Sequence, residues 1–210
     1  MCGRFSILND QASLVKHFAL AESEEFINSF NVTPSDKIPV IRLSEGKRHL
    51  VNCQWGLIPH WAKDDKFKPV NARAETLVEK PFFRSALKNN RCLVPASGFY
   101  EWKGQKGNKQ PWYFRLKEGE LFAFAGLWDH WENQDMKIDS CTIITTNANA
   151  AMAPVHNRMP VILDPDQYDD WLVVGNREIL LPYSGDMICY PVSKKVNNPD
   201  TDGDELIRPL

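Results

Sequence analysis

The sequence lacks the segments that would place a protein in or across a membrane. No apolar run approaches the roughly 20 residues that a membrane-spanning helix needs, and the chain does not open on the basic residues and apolar segment of a secretory signal peptide. We therefore expect a cytoplasmic protein that does not bind membranes. A monomer is the default expectation for its oligomeric state.

Cysteine is scarce, and its spacing suits neither of its common structural uses. The five cysteines stand at positions 2, 53, 92, 141 and 189, and no two of them form a C-x-x-C pair. An odd number so widely spaced argues against a disulfide framework and against a cysteine zinc site. The histidines show no H-x-x-x-H or similar metal spacing either. We expect no metal and no other cofactor, in a reducing compartment.

Internal repeats, low-complexity tracts and Gly/Ser linkers are also missing, which predicts a single domain over residues 1–210. Short runs of β-branched and aromatic residues predict strands, and turn signals at 104–107 and at Glu118-Gly119 predict consecutive hairpins between residues 98 and 131. The predicted strands are 38–43, 50–57, 91–94, 112–116, 121–128, 140–145, 159–163 and 187–192.

Helix signals are fewer. They predict helices at 11–20, 74–80, 81–89 and from Asp164 to beyond Trp171, with Pro81 breaking the second from the third. Strands without regular βαβ alternation give an α+β fold: a mostly antiparallel sheet, barrel-like or with a two-sheet core, and flanking helices.

Charge is unevenly distributed although the net charge is only -2. Between Trp55 and Arg115 stand 12 Lys and Arg against 5 Asp and Glu, whereas the rest of the chain holds 13 against 22. Such asymmetry is typical of a nucleic-acid-binding face on an acidic protein. Charge alone favours the alternative, in which the fold scatters these residues and no patch forms.

The most reactive feature of the sequence is Cys2. Loss of Met1 would leave an α-amine and a thiol on adjacent carbons, with ordinary pKa values of about 7.7–8.0 and about 8.5. An aldehyde suits this pair, because the amine condenses to an imine with loss of water and the thiol then adds to the same carbon, closing a thiazolidine ring. The alternative is that Cys2 is a small packed hydrophobe, as most cysteines are.

Three polar residues stand in apolar surroundings: Asn71 before a predicted helix, Glu101 among aromatic residues and His156 before an apolar strand. Loss of hydration among Phe99, Tyr100 and Trp102 would raise the pKa of the Glu101 carboxyl and suit it to acid or base work. Each residue also has a structural alternative: a helix cap for Asn71, the outward face of a half-buried strand for Glu101, and a satisfied histidine for His156.

Two tryptophans stand near the start of the basic segment. Trp61 is followed by Lys63, Lys66 and Lys68, and an aromatic ring beside lysines can stack an unpaired base while the lysines meet phosphates. Trp55 is assigned to the core, and Trp61 is open to either use.

Seven motifs occur in the order seen in the SRAP (SOS response-associated peptidase) family, whose members are also called abasic-site processing proteins. The chain resembles that family from residue 2 to the closing ELIRP at 205–209. The motifs are MCGRF at 1–5, NVTP at 31–34, WGLIP at 55–59, NARAET at 71–76, GFYEW at 98–102, HNRMP at 156–160 and PVS at 191–193.

The resemblance implies a function and a role for each motif residue. Met1 is removed by the protein's own peptidase activity, and Cys2 then traps the ring-opened aldehyde of an abasic site in single-stranded DNA as a thiazolidine crosslink, with lyase-like chemistry. Glu101 serves as acid and base for imine formation and Met1 release, His156 assists opening of the deoxyribose ring, and Asn71 positions Cys2 and the lesion. The implied DNA contacts are Arg4, Arg73 and Arg158 to phosphates, Pro34 to the lesion, and one-sided stacking by Trp61, because Ala62 stands where some members carry a second tryptophan.

Two other functions fit parts of the same sequence. One is a cysteine peptidase acting on other proteins, with Cys2, His156 and either Glu101 or Asn71 as a triad-like set. The other is a non-catalytic single-strand binder in which Cys2 is inert.

Overall fold

Two β-sheets and a few short helices make up the protein, as seen in a computed structural model that describes residues 2–105, 107–117 and 121–210. The α-helices are Gln11–Phe18 (α1) and Pro81–Asn89 (α2). The strands are β1 Phe5–Ile7, β2 Leu20–Ser23, β3 Ser29–Val32, β4 Lys37–Ser44, β5 Lys47–Trp55, β6 Asn71–Arg73, β7 Arg91–Ala96, β8 Gly98–Lys103, β9 Gln110–Leu116, β10 Phe122–Glu132, β11 Lys137–Asn147, β12 Arg158–Pro160, β13 Ile162–Leu163 and β14 Met187–Pro191.

The larger sheet closes into a five-stranded barrel. Strands β5, β4, β7, β10 and β11 pair in that order, all antiparallel, and β11 returns to β5 through a short parallel pairing of Ser140 with Gln54 and Cys141 with Trp55. The first six residues of β10 are all buried, whereas its far end alternates between buried and exposed. That change of pattern shows that one half of β10 is covered on both faces and the other half on one face only.

The smaller sheet lies against the barrel in the order β14, β9, β8, β1 and β3. Phe5 of β1 connects the two sheets, because its ring meets Trp55 and Phe124 of the barrel edge-on at centroid distances of 5.2 and 5.9 Å. Edge-to-face pairs of this kind stabilise a core beyond the area that they bury. The start of the chain is thereby fixed between the two sheets, with Cys2 fully buried beside it.

The helices begin and end for local reasons. The Asp10 side chain caps α1 by accepting a hydrogen bond from the Ser13 backbone N–H (2.7 Å), and Ala19 ends it in the left-handed conformation. Pro81 begins α2, where its missing N–H is not needed. No helix in the described part of the chain is long and apolar enough to cross a membrane.

The predicted α+β class is confirmed, and so are all eight predicted strands, although residues 159–163 divide into β12 and β13. One local prediction is wrong, because residues 74–80 form only a 3-10 turn, Ala74–Thr76, before irregular turns. The predicted helix after Asp164 is present, as a 3-10 turn, Pro165–Gln167, that continues without a break into a π-helical turn, Asp170–Val174.

The second predicted hairpin is also wrong. Glu118-Gly119, its proposed turn, lies outside the described residues, and the strands on either side belong to different sheets. β9 pairs with β8 and β14, whereas β10 pairs with β7, β11 and β13. A turn signal reports a change of direction but not whether the flanking strands pair.

Candidate active site at the chain start

Cys2 lies at the junction of the two sheets and has no exposed surface. Its thiol points to the Arg4 carbonyl (3.8 Å from Sγ). The same carbonyl accepts a hydrogen bond from the Tyr100 N–H (3.0 Å), which extends the pairing of β1 with β8 toward Cys2. Burial, followed by the charge of the Glu101 carboxylate, raises the pKa of the Cys2 thiol above its ordinary value. The resting site therefore holds a protonated thiol.

Asn71 reaches Cys2 from the other sheet. Its side-chain amide donates a hydrogen bond to the Cys2 carbonyl (Nδ2 to O, 2.7 Å), across 69 positions of sequence. Strand β6 carries Asn71 and pairs parallel with β11, where Asn71 stands opposite Ile143. The amide oxygen Oδ1 is buried, with no hydrogen-bond partner among the residues that the structure describes. A buried acceptor of this kind suits a donor group of a ligand or of a rearranged chain start.

Glu101 approaches Cys2 from β8. Its side chain is only 5% exposed, and its Oε1 accepts a hydrogen bond from the Trp102 backbone N–H at 3.3 Å. The alternative in which Glu101 is the outward residue of a half-buried strand is wrong, because four consecutive residues of β8, Gly98 to Glu101, are buried. A carboxylate held in the protein interior near a thiol is an arrangement suited to proton transfer.

His156 is oriented by the residue two positions later. The Arg158 backbone N–H donates a hydrogen bond to Nδ1 of His156 (3.0 Å). Nδ1 also lies 3.3 Å from the Arg158 carbonyl oxygen, to which it donates when it carries the ring proton. The Arg158 backbone therefore fixes the orientation of the His156 ring in either tautomer.

Arg158 is fixed by an ion pair within the site. Its guanidinium makes two hydrogen bonds to the Glu75 carboxylate, Nη1 to Oε1 at 2.6 Å and Nη2 to Oε2 at 2.9 Å, and a third to the Thr145 carbonyl at 2.7 Å. Arg158 sits on β12 opposite Asn147 of β11. Strand β11 thus has the Asn71 strand on one side and the Arg158 strand on the other, which explains how distant motifs come together.

The other residues implied as DNA contacts differ in how exposed their side chains are and in how far other residues already bind them. Arg4 is half-buried, with Nη1 donating to the Asn31 side chain (2.7 Å) and to the Val196 carbonyl (2.8 Å), whereas the Arg73 side chain is exposed. Pro34 is exposed in the turn before β4. Their contacts with DNA stay predictions.

Trp61 belongs to an exposed aromatic surface. It is 52% exposed and meets Phe82 of α2 edge-on at 6.0 Å, and Phe67, 67% exposed, meets the same Phe82 ring at 5.2 Å. Phe67 was missed in the sequence, although it stands between Lys66 and Lys68. Trp55, in contrast, is fully buried, as predicted.

The lysines beside Trp61 contribute less charge than their number indicates. Lys68 pairs with Asp65 (2.8 Å) and Lys66 with Asp64 (3.6 Å). Within the described residues, Lys63 has no such partner. The aromatic surface is therefore only weakly basic at this loop.

Two side chains of the barrel strand β10 hold the loop that carries Trp61. The buried carboxylate of Asp129 accepts hydrogen bonds from the His60 backbone N–H and is 3.0 Å from its ring Nδ1, and Trp131 Nε1 donates to the Ala62 carbonyl (2.8 Å). Both partners lie on β10, on either side of His130. The backbone around Trp61 is thus fixed while its ring remains exposed.

The reactivity of the five cysteines tests the burial of Cys2. Cys189 is the one cysteine with partial exposure, whereas Cys2, Cys53, Cys92 and Cys141 are buried; burial also raises the pKa of Cys53 to about 12. Brief treatment of the native protein with iodoacetamide near pH 7.5 should therefore label Cys189 first, as peptide mass spectrometry would show. Labelling in denaturant, where all five thiols should react, is the control. Equal labelling of Cys2 and Cys189 in the native protein would contradict the described burial.

Comparison with known proteins gives the family of this fold. The family model of the SOS response associated peptidase (SRAP) matches residues 1–199. The abasic site processing protein YoaM of Bacillus subtilis is 42% identical over 99% of this chain and 97% of its own length. The abasic site processing protein HMCES of Xenopus tropicalis is 32% identical over 84% of this chain and 64% of its own length. A crystal structure of a protein from Bacteroides thetaiotaomicron shares the fold, with a TM-score of 0.89 and 24% identity over the whole of both chains.

Proposed function

This chain belongs to the SOS response associated peptidase family, and we propose that it processes abasic sites in single-stranded DNA by covalent capture at Cys2. The amine and thiol of a Cys2 freed from Met1 would take the ring-opened aldehyde as an imine and then as a thiazolidine. The relatives named above are abasic site processing proteins, which supports this substrate. Met1 itself lies outside the described residues.

One observation carries the proposal: the Asn71 amide holds the Cys2 carbonyl at 2.7 Å while Glu101 lies close enough to raise the pKa of the thiol. A cysteine that served only as core packing would need neither an amide clamp from another sheet nor a buried carboxylate. The free Asn71 Oδ1 is the acceptor that we assign to the Cys2 amine once Met1 has left. Such a bond would hold the amine in place for attack.

Proton transfer divides between two groups in this mechanism. An abasic sugar exists mostly as a closed hemiacetal, so its opening needs a proton delivered to the ring oxygen and one removed from the hydroxyl. His156, oriented by the Arg158 backbone, is the donor in our proposal and acts from its protonated imidazolium form. Glu101 accepts a proton as the amine attacks and returns one as water leaves during imine formation.

Release of Met1 requires a second use of the same site. In the proposed autopeptidase reaction, water adds to the Met1 carbonyl with Glu101 as the base, the Met1–Cys2 peptide bond breaks, methionine leaves, and Glu101 returns the proton to the nitrogen that becomes the Cys2 amine. Asn71 keeps the Cys2 backbone in place. The chain is then an enzyme of the hydrolase type acting once on itself, and its later chemistry on DNA is crosslinking with lyase-like character. Cleavage of an unrelated peptide would instead favour a general cysteine peptidase.

DNA binding in this proposal is independent of base sequence. Exposed Arg73 meets a phosphate directly and Pro34 packs against the baseless sugar, whereas half-buried Arg4 adds positive charge. Arg158 would reach a phosphate only by sharing its guanidinium with Glu75. An abasic nucleotide in a single strand has no base to extrude and no pair to break, so binding it costs little conformational energy. Such binding should weaken as salt rises.

The test of the proposed function uses the purified full chain and an oligonucleotide with one abasic site. An SDS-resistant band should form with this DNA and not with the same oligonucleotide carrying an intact base. Intact-mass spectrometry first establishes that Met1 is absent. Failure to form the band by protein that lacks Met1 would refute covalent capture.

Replacing Trp61 by alanine should weaken binding of single-stranded DNA by about 1–3 kcal/mol, the range found for loss of one base–aromatic stack. Fluorescence anisotropy with a labelled oligonucleotide would measure the change at fixed salt. Val173→Ala, which trims another exposed apolar side chain, is the matched control and should bind as the wild type does. Equal affinities for Trp61→Ala and the wild type would remove Trp61 from the interface.

A further inference from the structure

A cavity lies at the other end of β1 from Cys2. Its volume is about 250 Å³, and its lining includes Leu8 just beyond β1, Ser97 before β8, and Tyr190 of β14. Cavities that hold drug-sized ligands are typically about 300–1,000 Å³, so this one suits a smaller molecule. The proposed chemistry at Cys2 does not involve this cavity.

The floor of this cavity exists because residue 98 is a glycine. A Cβ at Gly98 would lie 2.2 Å from the Tyr113 hydroxyl oxygen, so any side chain there would displace the tyrosine. The Tyr113 hydroxyl is in turn 2.8 Å from the Ser6 hydroxyl, beneath the cavity. The pairing of Phe99 with Phe114 places Gly98 opposite Arg115, and the Tyr113 ring takes the place that a side chain at residue 98 would occupy.

Arg115 is the charged group of the cavity. Its guanidinium makes one hydrogen bond, from Nη1 to the Leu116 carbonyl at 3.3 Å, and it has no carboxylate partner among the described residues. None of the described residues that line the cavity is acidic. A half-buried guanidinium that has no counter-charge among the described residues favours binding of an anion, because its remaining N–H groups form a planar fork that matches an oxyanion.

Uncharged polar groups surround this guanidinium. The Ser97 hydroxyl donates to Asn9 Oδ1 (2.8 Å) and accepts from the Leu8 N–H (3.0 Å), which fixes the Asn9 amide and leaves its NH₂ group as a further donor. On the opposite wall the Tyr190 hydroxyl donates to the Ile207 carbonyl (2.9 Å). These bonds hold the lining in place without using the guanidinium.

The apolar part of the lining decides what kind of anion fits. The rings of Tyr113 and Tyr190 lie 6.0 Å apart at a tilt of 48°, and Leu8 and Ile207 complete an apolar wall. One guanidinium balances one negative charge, whereas a phosphate monoester carries about 1.5 to 2 negative charges at neutral pH. The charge balance therefore favours a carboxylate with a small apolar body.

We propose that this cavity is a binding site for a small monocarboxylate, with Arg115 bound to the carboxylate and the two tyrosine rings packed against an aromatic or aliphatic body. The site is separate from the proposed DNA chemistry and does not depend on it. Benzoate is a suitable probe, since it combines one carboxylate with one flat ring.

The test is a titration of the full chain with benzoate, followed by the NMR shifts of backbone amides. Saturable shifts should centre on Leu8 and Ser97, and benzamide, of equal shape but neutral, should bind at least about tenfold more weakly because it loses the charge-assisted pair. Phenyl phosphate should also bind more weakly than benzoate. Tighter binding of phenyl phosphate would overturn the assignment to a monocarboxylate.

Variants separate this site from general attraction of anions to arginine. Arg115→Gln should lower benzoate affinity by about tenfold or more, and Arg115→Lys should give an intermediate loss because it keeps the charge but not the fork. Arg177→Gln, which removes an exposed arginine elsewhere, is the control and should bind benzoate as the wild type does. The proposal fails if the wild type shows no saturable shift or if Arg115→Gln binds equally well.

Discussion

Replacing Cys2 by alanine should abolish the SDS-resistant adduct with abasic DNA, lowering its yield by more than about 10³-fold, as expected when a nucleophile is removed. The physical reason is the chemistry of the two groups on residue 2. An α-amine alone forms an imine that water reverses, whereas the neighbouring thiol converts the imine into a ring. Denaturing gels with an end-labelled oligonucleotide would measure the yield.

The variant is most informative when the α-amine is kept. Wild type and Cys2→Ala can both be made from a cleavable fusion that leaves residue 2 as the N-terminus, so that only the thiol differs. Addition of borohydride, which reduces an imine to a stable amine, should then restore a band for Cys2→Ala. A stable band for Cys2→Ala without borohydride would show that the thiol is not needed.

The complementary control blocks the Cys2 amine and keeps the thiol. A chain that retains an extra residue before Cys2 should give no stable adduct without borohydride, because the Cys2 nitrogen is then an amide and no thiazolidine can close. Cys2→Ser offers a closer match in size for a fully buried side chain, and it should resemble Cys2→Ala because a hydroxyl is a much poorer nucleophile than a thiol. Thermal unfolding of each variant establishes that its fold is intact.

Replacing Glu101 by glutamine should slow adduct formation by about 10²–10⁴-fold, the usual contribution of a positioned acid or base. Glutamine preserves the shape of this buried side chain, including an oxygen that can accept the bond from the Trp102 N–H. It cannot exchange a proton near neutral pH. The measurement is the single-turnover rate of adduct formation, with Glu178→Gln, an exposed carboxylate, as the control that should react at the wild-type rate.

The sign of the electrostatic effect separates two roles for Glu101. Its carboxylate raises the pKa of the Cys2 thiol, so its removal should lower that pKa and leave more thiolate at a given pH. If Glu101 acted only through the charge of the thiol, Glu101→Gln would react faster. A slower reaction therefore indicates lost proton transfer, and a faster one would contradict the proposed acid and base role.

The sequence predicted more of the site than of the connections that build it. Cys2, Asn71, Glu101 and His156 stand out because polar groups in apolar segments require a reason, and ordered motifs added specificity. The structure brings Asn71 and Glu101 to Cys2, whereas His156 is hydrogen-bonded to the Arg158 backbone. Their roles in catalysis stay predictions.

Some site features left no signal in the sequence. Glu75, which holds Arg158 through two hydrogen bonds, reads as an ordinary acidic residue of a helix start. The position of Phe67 beside Trp61 depends on their shared contact with Phe82. Such contacts join residues that neither periodicity nor local composition relates.

By itself, the sequence determined the strands of the barrel, the two α-helices and the reactive pair of groups on residue 2, because these depend on local patterns and on the chemistry of single residues. Only the tertiary structure decided that β9 and β10 lie in different sheets and that β11 carries the Asn71 strand and the Arg158 strand on its two sides. Strand pairing across long separations is fixed by burial of whole faces, a property of the assembled chain. The surroundings of Cys2, and the cavity that Arg115 lines, follow from that pairing.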